Sequence, residues 1–471
     1  MPRGGAGGAA PDSFYAVHEK VYPREVKGRY ASLRNLAVWV LLGIYYVLPW
    51  ISWHGRQAVL FDLPARKFYI FGLTFWPQDF FFMAWLLIIA ALALFFVTAV
   101  AGRLWCGYAC PQTVWTEAFL WMERITEGNH SQRRKLDHGP WTRDKVLRKS
   151  AKQVLWITFS LWTGFTFAAY FTPAAELGQK LLTLSAGPWE SFWVLFYGFA
   201  TYGNAGLLRE QVCKYMCPYA RFQGAMFDKD TMIISYDERR GEPRGGRKRS
   251  LDHIAAGLGD CIDCNMCVQV CPTGIDIREG LQIECIACAA CVDVCNEVMD
   301  KMAYPRGLIR YSTHHAMEEQ QPVRVMRPRV IVYGVLLLAL LVGFGTAIAN
   351  RSTLIVDVIR DRNTLYRELP GGVVENVYTV TFVNKTEVQR RYEVSARGVA
   401  GLELEFDTPL PLVSAPGEIR RVPLRLKAPG KVLPPGGAEV TLTVEALGDA
   451  PTTVERTTRL IGPGDGPGAT R

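Results

Sequence analysis

Hydrophobic positions are spread unevenly along the 471 residues, and their period changes once. Five stretches stay apolar for about 17–25 residues, the length a helix needs to cross a bilayer. They are Leu36–Trp53, Phe80–Ala101, Val154–Phe171, Trp189–Leu208 and Val330–Ala349. Gly198, Gly203, Asn204 and Gly206 interrupt the fourth. Small residues let helices approach closely, so it still reads as a span. The first is no signal peptide, because Ile51-Ser52-Trp53-His54 offers no small-x-small cleavage site; it stays as an anchor.

Beyond residue 350 the pattern becomes short alternating segments: Leu354–Ile359, Val377–Phe382, Arg391–Ala396, Leu402–Phe406, Ile419–Leu426, Val440–Val444 and Val454–Leu460. Pro370-Gly-Gly372, Ala415-Pro-Gly417 and Leu433-Pro-Pro-Gly-Gly437 separate them as turns. Short strands at that spacing predict an immunoglobulin-like β-sandwich. It has no cysteine for a core disulfide and no catalytic constellation, so it is expected to bind a partner or support assembly.

Charge then orients the chain. Lys and Arg crowd the arm before residue 36, the 103–152 loop and the 209–329 segment, whereas the other short loops carry only Arg56, Arg66 and Lys67, and Lys180. Positive charge stays on the cytoplasmic side, so those three regions face inward and the C-terminal domain outward. The net charge of +9 thus reflects topology rather than nucleic-acid binding. The predicted fold class is multi-domain. It has a cytoplasmic arm (1–35), a four-helix transmembrane region (36–208), a cytoplasmic segment (209–329, core 255–300), a fifth transmembrane helix (330–350) and a periplasmic sandwich (351–471). The first 13 residues read as disordered. The run Asp237–Arg249 reads as a solvated basic linker, with a docking patch for an acidic electron donor as the sharper reading.

Twelve cysteines, all before residue 296, point to metal ligation in a reducing compartment rather than a disulfide framework. Cys261-x2-Cys264-x2-Cys267-x3-Cys271-Pro272 and Cys285-x2-Cys288-x2-Cys291-x3-Cys295 each spell the bacterial ferredoxin run. Three close thiolates grip one cubane and the fourth serves the other. Cys261, Cys264, Cys267 and Cys295 are therefore expected on one [4Fe–4S] cluster, and Cys271, Cys285, Cys288 and Cys291 on the second. Asn296 stands where Pro272 stands in the first run, a change of turn and not of ligand. Structural zinc would favour separated C-x2-C pairs. With no substrate pocket legible, this chemistry is electron transfer.

A second set repeats: Arg103-Leu-Trp-Cys106-Gly-Tyr-Ala-Cys110-Pro111 and Arg209-Glu-Gln-Val-Cys213-Lys-Tyr-Met-Cys217-Pro218, with Tyr108 and Tyr215 in matching places. Each follows an inward-running span, so the chain contains a repeated two-span hairpin. Cysteines at i and i+4 share a helical face, which could bring four thiols together at one depth. Copper, a redox dithiol, a further iron–sulfur centre and buried structural cysteine all remain open. Met216 could add a thioether or simply pack. His54, His130, His138, His314 and His315 read as surface residues, and Glu117 and Glu190 as interfacial.

Nearly the whole chain resembles the cytochrome c oxidase accessory protein family CcoG, also called FixG or RdxA. The resemblance rests on Trp105–Trp115, Cys213–Pro218, the two cluster runs, Pro305–Tyr311 and the sandwich tail. It implies an oxidoreductase of the bacterial inner membrane that reduces Cu(II) to Cu(I) during assembly of cbb3-type oxidase. By that resemblance Cys106, Cys110, Cys213 and Cys217 are copper candidates. The implied partners are copper ions, an unidentified cytoplasmic electron donor, and a copper chaperone or oxidase assembly factors; a homo-oligomer is left open. The rivals are an iron–sulfur conduit to quinone or another respiratory enzyme, and a redox-sensing scaffold without catalysis.

Overall fold

The computed structural model describes residues 20–319, 322–361, 364–448 and 451–462, so the N-terminal stretch read as disordered lies outside the described residues. The chain divides into two compact units, residues 1–61 with 86–340, and residues 62–85 with 341–471.

Among the described residues three helices are long and apolar enough to cross a membrane: Arg29–Trp50, Pro77–Ala101 and Pro328–Ala349. The other two expected spans take a different form. Helix Arg143–Ala168 opens with Arg143, Lys145, Arg148, Lys149 and Lys152, so only its second half is apolar. Helix Pro188–Thr201 gives way to wider π turns over Tyr202–Leu208, where the small residues Gly203, Asn204 and Gly206 lie. The two helices pack backbone to backbone. A Cβ on Gly164 would lie 2.0 Å from the Val194 carbonyl oxygen, and one on Gly198 would lie 3.3 Å from that of Ser160. Small residues there replace side-chain interdigitation with direct helix contact.

The cysteine-rich insert of the same unit is closed by an antiparallel pair, Ile233–Tyr236 with Ile309–Ser312. Ile234, Ile277, Val292, Met299, Leu308 and Ile309 form its core. Helix Ala290–Met302 fixes the insert to the first long helix. The Asp293 carboxylate accepts the backbone N–H groups of Tyr30 (3.2 Å) and Ala31 (2.7 Å). Helix Arg29–Val47 has no side-chain cap of its own and no acidic residue in its first turn, so Asp293 supplies both acceptor and negative charge.

Among the described residues of the second unit, nine strands form two facing sheets. One orders Glu403–Phe406, Ile419–Pro429, Val373–Asn384 and Leu354–Arg360, with Arg367–Leu369 also on Val373–Asn384. The other orders Leu412–Ser414, Arg390–Arg397, Ala438–Leu447 and Thr452–Leu460. Each of the seven expected segments is a strand; Arg367–Leu369 and Leu412–Ser414 were too short to show a period. Tyr378, Phe382, Tyr392, Leu424 and Leu426 fill the space between the sheets.

The 62–85 stretch holds a hairpin, Lys67–Ile70 with Leu73–Phe75, that hydropathy did not reveal. It leads to Asp79, which is buried and takes Lys385 Nζ at 2.6 Å and the Arg351 guanidinium. The Trp76 indole N–H donates to the Lys385 carbonyl at 3.1 Å. Asp79→Ala would leave two cations facing a buried site without a counter-charge. A destabilisation of about 3–5 kcal/mol is expected, read as faster proteolysis of the sandwich, with Asp79→Glu milder. Equal protease resistance of D79A and the parent chain would refute this.

Candidate iron–sulfur and thiol site

The two ferredoxin runs fold into matching loops. Asp263 and Asn265 in one, and Ala287 and Ala289 in the other, take left-handed backbone conformations (φ 51°, 55°, 54° and 56°) at equivalent places around the second cysteine. Non-glycine residues adopt that region at a cost, so four of them in register mark a loop wrapped around something that organises it. Each loop then enters a helix, Met266–Gln269 or Ala290–Met302.

Cys261, Cys264, Cys267 and Cys295 line one small cavity. Cys271, Cys285, Cys288 and Cys291 line another. The fourth cysteine of each run thus faces the three of the other, and these two sets are the ones that would hold a cubane each. Burial pushes the Cys267 thiol up to about 11 and those of Cys285 and Cys295 up to about 12. Ionised sulfur in such surroundings needs a bound cation beside it, and iron supplies that charge. Asn296, expected at a turn, instead lies within helix Ala290–Met302, which continues past Cys295, and its side chain accepts the Gly307 N–H at 3.0 Å.

The paired membrane cysteines depart from the expected single helical face. Cys106 lies in the short helix Leu104–Tyr108, but Cys110 is extended (ψ 129°) and begins helix Pro111–Glu127. Cys213 lies in the π turns Val212–Met216, and Cys217 is likewise extended (ψ 109°) before helix Pro218–Ala225. The reason is the proline after each second cysteine. It forces the preceding residue out of the helical region and starts a new helix at its first position. Both second cysteines therefore sit at helix N-termini; burial pushes the Cys110 thiol up, and the backbone N–H groups of Gln112 and Thr113 oppose the rise.

The four thiols nonetheless influence one another. Burial pushes Cys106 up to about 12, Cys110, Cys213 and Cys217 add to the rise, and Arg103 opposes it. Cys213 behaves alike, reaching about 11 by burial, with Cys110 and Cys217 adding. Cys106 Sγ also lies 3.5 Å from Oε1 of the wholly buried Gln223, whose amide donates to the Gly102 carbonyl at 2.9 Å. Met216 and Tyr215 are exposed rather than packed.

Five residues join this quartet to the second ferredoxin loop: Gly107, Arg103, Arg34, Tyr108 and Tyr311. A Cβ on Gly107 would lie 2.7 Å from the Ile286 carbonyl oxygen and 3.0 Å from that of Ala287, so the two backbones touch. The buried Arg103 donates to the carbonyls of Ile283 and Ala220, one in each partner segment. Arg34 donates to the Cys288 carbonyl at 2.5 Å. Tyr108 meets Tyr311, whose hydroxyl donates to the Ala287 carbonyl at 2.6 Å. A cavity of about 480 Å³ opens alongside, lined among others by Arg34, Gly107, Gln112, Glu117, Cys213 and Cys288. A readable signal did exist: each motif carries an arginine shortly before its first cysteine, Arg103 and Arg209.

Of the other residues noted from the sequence, Glu117 pairs with Arg124 at 2.8 Å and Glu190 with Lys180 at 3.0 Å. His315 pairs with Asp230 at 2.9 Å, and His314 with Glu318 at 3.1 Å. Among the described residues no group of three or more His, Cys, Asp or Glu side chains already stands at single-ion spacing, so a metal at the quartet would have to draw its thiols together.

Comparison with known proteins supplies the lineage. Residues 208–314 match a family described as a 4Fe-4S dicluster domain, residues 83–127 one described as a 4Fe-4S binding domain, and residues 344–463 one described as the IG-like fold at the C-terminal of FixG. The nitrogen fixation protein FixG of Rhizobium meliloti (strain 1021) is 40% identical over 462 residues, covering 89% of this chain and 86% of that protein. This chain belongs to the FixG/RdxA family. Protein RdxB of Cereibacter sphaeroides is 40% identical across 91% of this chain and 93% of its own length. A crystal structure of a FixG-related protein from Vibrio parahaemolyticus, 28% identical, covers 24% of this chain and 97% of its own, with a TM-score of 0.21. As a FixG/RdxA protein the chain is an iron–sulfur redox protein with membrane helices and an Ig-like C-terminal domain.

Proposed function

We propose that this FixG/RdxA protein is a cupric reductase that converts Cu(II) to Cu(I) for assembly of cbb3-type cytochrome oxidase, with Cys106, Cys110, Cys213 and Cys217 as the copper site. The carrying observation is the backbone contact of Gly107 with Ile286, which sets the segment holding Cys106 and Cys110 against the second ferredoxin loop. When bound, the two cubanes supply one-electron storage and transfer. The rest falls to the chain. Cys264 is the one exposed cysteine and leaves the first site's edge open to a donor, while Arg103 and Arg34 clamp the second loop toward the quartet. Thiolates at two helix N-termini are soft donors that favour Cu(I) over Cu(II), so substrate reduction is helped by the ligand set itself. The basic arm, the 103–152 loop and the 209–329 segment support a cytoplasmic placement in the bacterial inner membrane, with the sandwich in the periplasm. A copper chaperone or an oxidase assembly factor would take the product.

Anaerobic titration of the reduced protein with Cu(II) tests this. One Cu(I) should form per electron withdrawn, and Cys106→Ser or Cys213→Ser should cut the yield at least about tenfold while the iron of both ferredoxin sites stays. Cluster absorption that ignores Cu(II) would end the proposal. A second reading is favoured by the 4Fe-4S family match over residues 83–127, which contains Cys106 and Cys110. In that reading the quartet holds a third cubane and the chain is a conduit to quinone or another respiratory enzyme. It predicts about half as much iron again per chain, lost in those same Ser variants.

A further inference from the structure

The basic run before the first ferredoxin loop is not a free linker. Gly245 donates to the Cys261 carbonyl at 3.2 Å, Gly259 to the Pro243 carbonyl at 3.0 Å, and Cys261 to the Gly241 carbonyl at 3.3 Å. The Arg247 guanidinium donates to the carbonyls of Cys261 (3.3 Å) and Gly259 (2.5 Å) and lies 5.4 Å over the Tyr304 ring. Residues 239–259 thus form a lobe folded onto the loop that carries Cys264, the only exposed thiol of the twelve.

The outer face of that lobe is unusual in composition. Leu251 and Ile254 are exposed, the latter at 78%, beside exposed Arg244, Lys248 and Arg249. Of the nearby carboxylates, Glu242 lies 3.8 Å from Arg244, and the exposed Asp252 accepts the backbone N–H groups of Ile254 and Ala255. Asp260 takes Arg240 and His253, and Asp263 takes Arg278, which also donates to Asn265 on the other side of Cys264. Lys248 and Arg249 pair with no carboxylate among the described residues. A small apolar centre rimmed by cations, next to the one accessible cluster ligand, has the anatomy of a transient protein interface. A cationic rim steers an anionic partner to it.

We propose that the lobe of residues 239–259 is the docking surface for a small, acidic one-electron carrier protein, of ferredoxin or flavodoxin type, which reduces the chain at the Cys264 edge. The carrier is oxidised by one electron and the iron–sulfur protein reduced by one, with no proton or bond changing hands. The inference rests on the electron-transfer reading and is independent of copper.

The test uses the full-length protein in detergent, without copper, and a reduced acidic plant-type [2Fe–2S] ferredoxin as probe. Bleaching of the chain's visible absorption by the probe should slow about tenfold or more as salt is raised. The triple variant Arg244→Glu, Lys248→Glu, Arg249→Glu should be slower by a similar factor at low salt and lose its salt dependence. Ile254→Asp should also weaken probe binding. Dithionite, a small reductant, should bleach parent and variants alike, and their iron content should match. Equal rates for the triple variant and the parent would overturn the proposal, as would a basic carrier reducing the parent as fast as the acidic one. Loss of binding to anionic phospholipid vesicles, with ferredoxin reduction intact, would overturn it too, by marking the lobe as a membrane contact. Failure of dithionite itself would instead sink the electron-transfer reading.

Discussion

Replacing Glu123 with Ala is expected to destabilise the helices around the cysteine site by about 3–5 kcal/mol, the cost of stranding buried cations. Glu123 is 1% exposed and pairs with Arg133 and Arg209, both at 2.8 Å. Lys152 bonds Glu127 at 2.9 Å in the same buried layer, and Lys149 bridges Glu127 (2.9 Å) to Asp137. The cluster ties helix Pro111–Glu127 to His130–His138, to Arg143–Ala168 and to the π turns that lead to Cys213. The measurement is denaturant unfolding in detergent, followed by tryptophan emission; Trp156 lies over both Lys152 and Arg209. Glu123→Gln, which keeps one acceptor, should cost less than Ala. An unchanged midpoint in E123A would refute the assignment.

The same residue gives a pH signature. Burial by itself would raise the Glu123 carboxyl, but Arg209, with Lys20 and Arg133 behind it, overrides this and holds it at about 2. A carboxyl whose folded pKa lies below its unfolded value of about 4.3 stabilises fully above that value. That stability is lost as pH falls toward 2, amounting to roughly 3 kcal/mol. The parent chain should weaken over that window, and Glu123→Gln should weaken less steeply.

The second large effect is expected from Gly107→Val. Its Cβ would fall inside van der Waals contact of two carbonyl oxygens and the Cys288 Cα, and none of those is a flexible side-chain end. The second ferredoxin loop must therefore move away from the quartet. If Cys271, Cys285, Cys288 and Cys291 hold a cluster as proposed, the expected result is loss of about half the iron, with failure of Cu(II) to reoxidise what remains. Gly203→Ala is the control, since a Cβ there meets nothing within 4 Å. Iron analysis and low-temperature EPR of the reduced protein check it. Full iron and normal Cu(II) reoxidation in G107V would show that the contact is not needed.

Much of the fold is legible in the sequence. Cluster ligation depends on covalent spacing, and the loops around Cys261–Cys271 and Cys285–Cys295 carry that spacing within a few residues each. Strand alternation in the sandwich is equally local, so all seven segments were readable, whereas Arg367–Leu369 and Leu412–Ser414 span too few residues to show a period. Helix Arg143–Ala168 was harder. Its basic half looked like a solvated loop, yet Lys145 and Lys152 are buried there. A charge reads as exposed in one dimension because its partner is invisible, and here the partners of Lys152 come from another helix.

The amino-acid order alone determined that this protein carries two four-cysteine ferredoxin runs, long apolar helices and a β-rich tail, because those features live in intervals of a few to some twenty residues. Only the tertiary structure decided that Gly107 meets Ile286, that Arg103 bridges Ile283 and Ala220, and that the lobe at residues 239–259 covers the Cys261 loop. Such contacts are set by how buried backbone polar groups and charges find partners across a packed interface, and that pairing leaves no period in the chain.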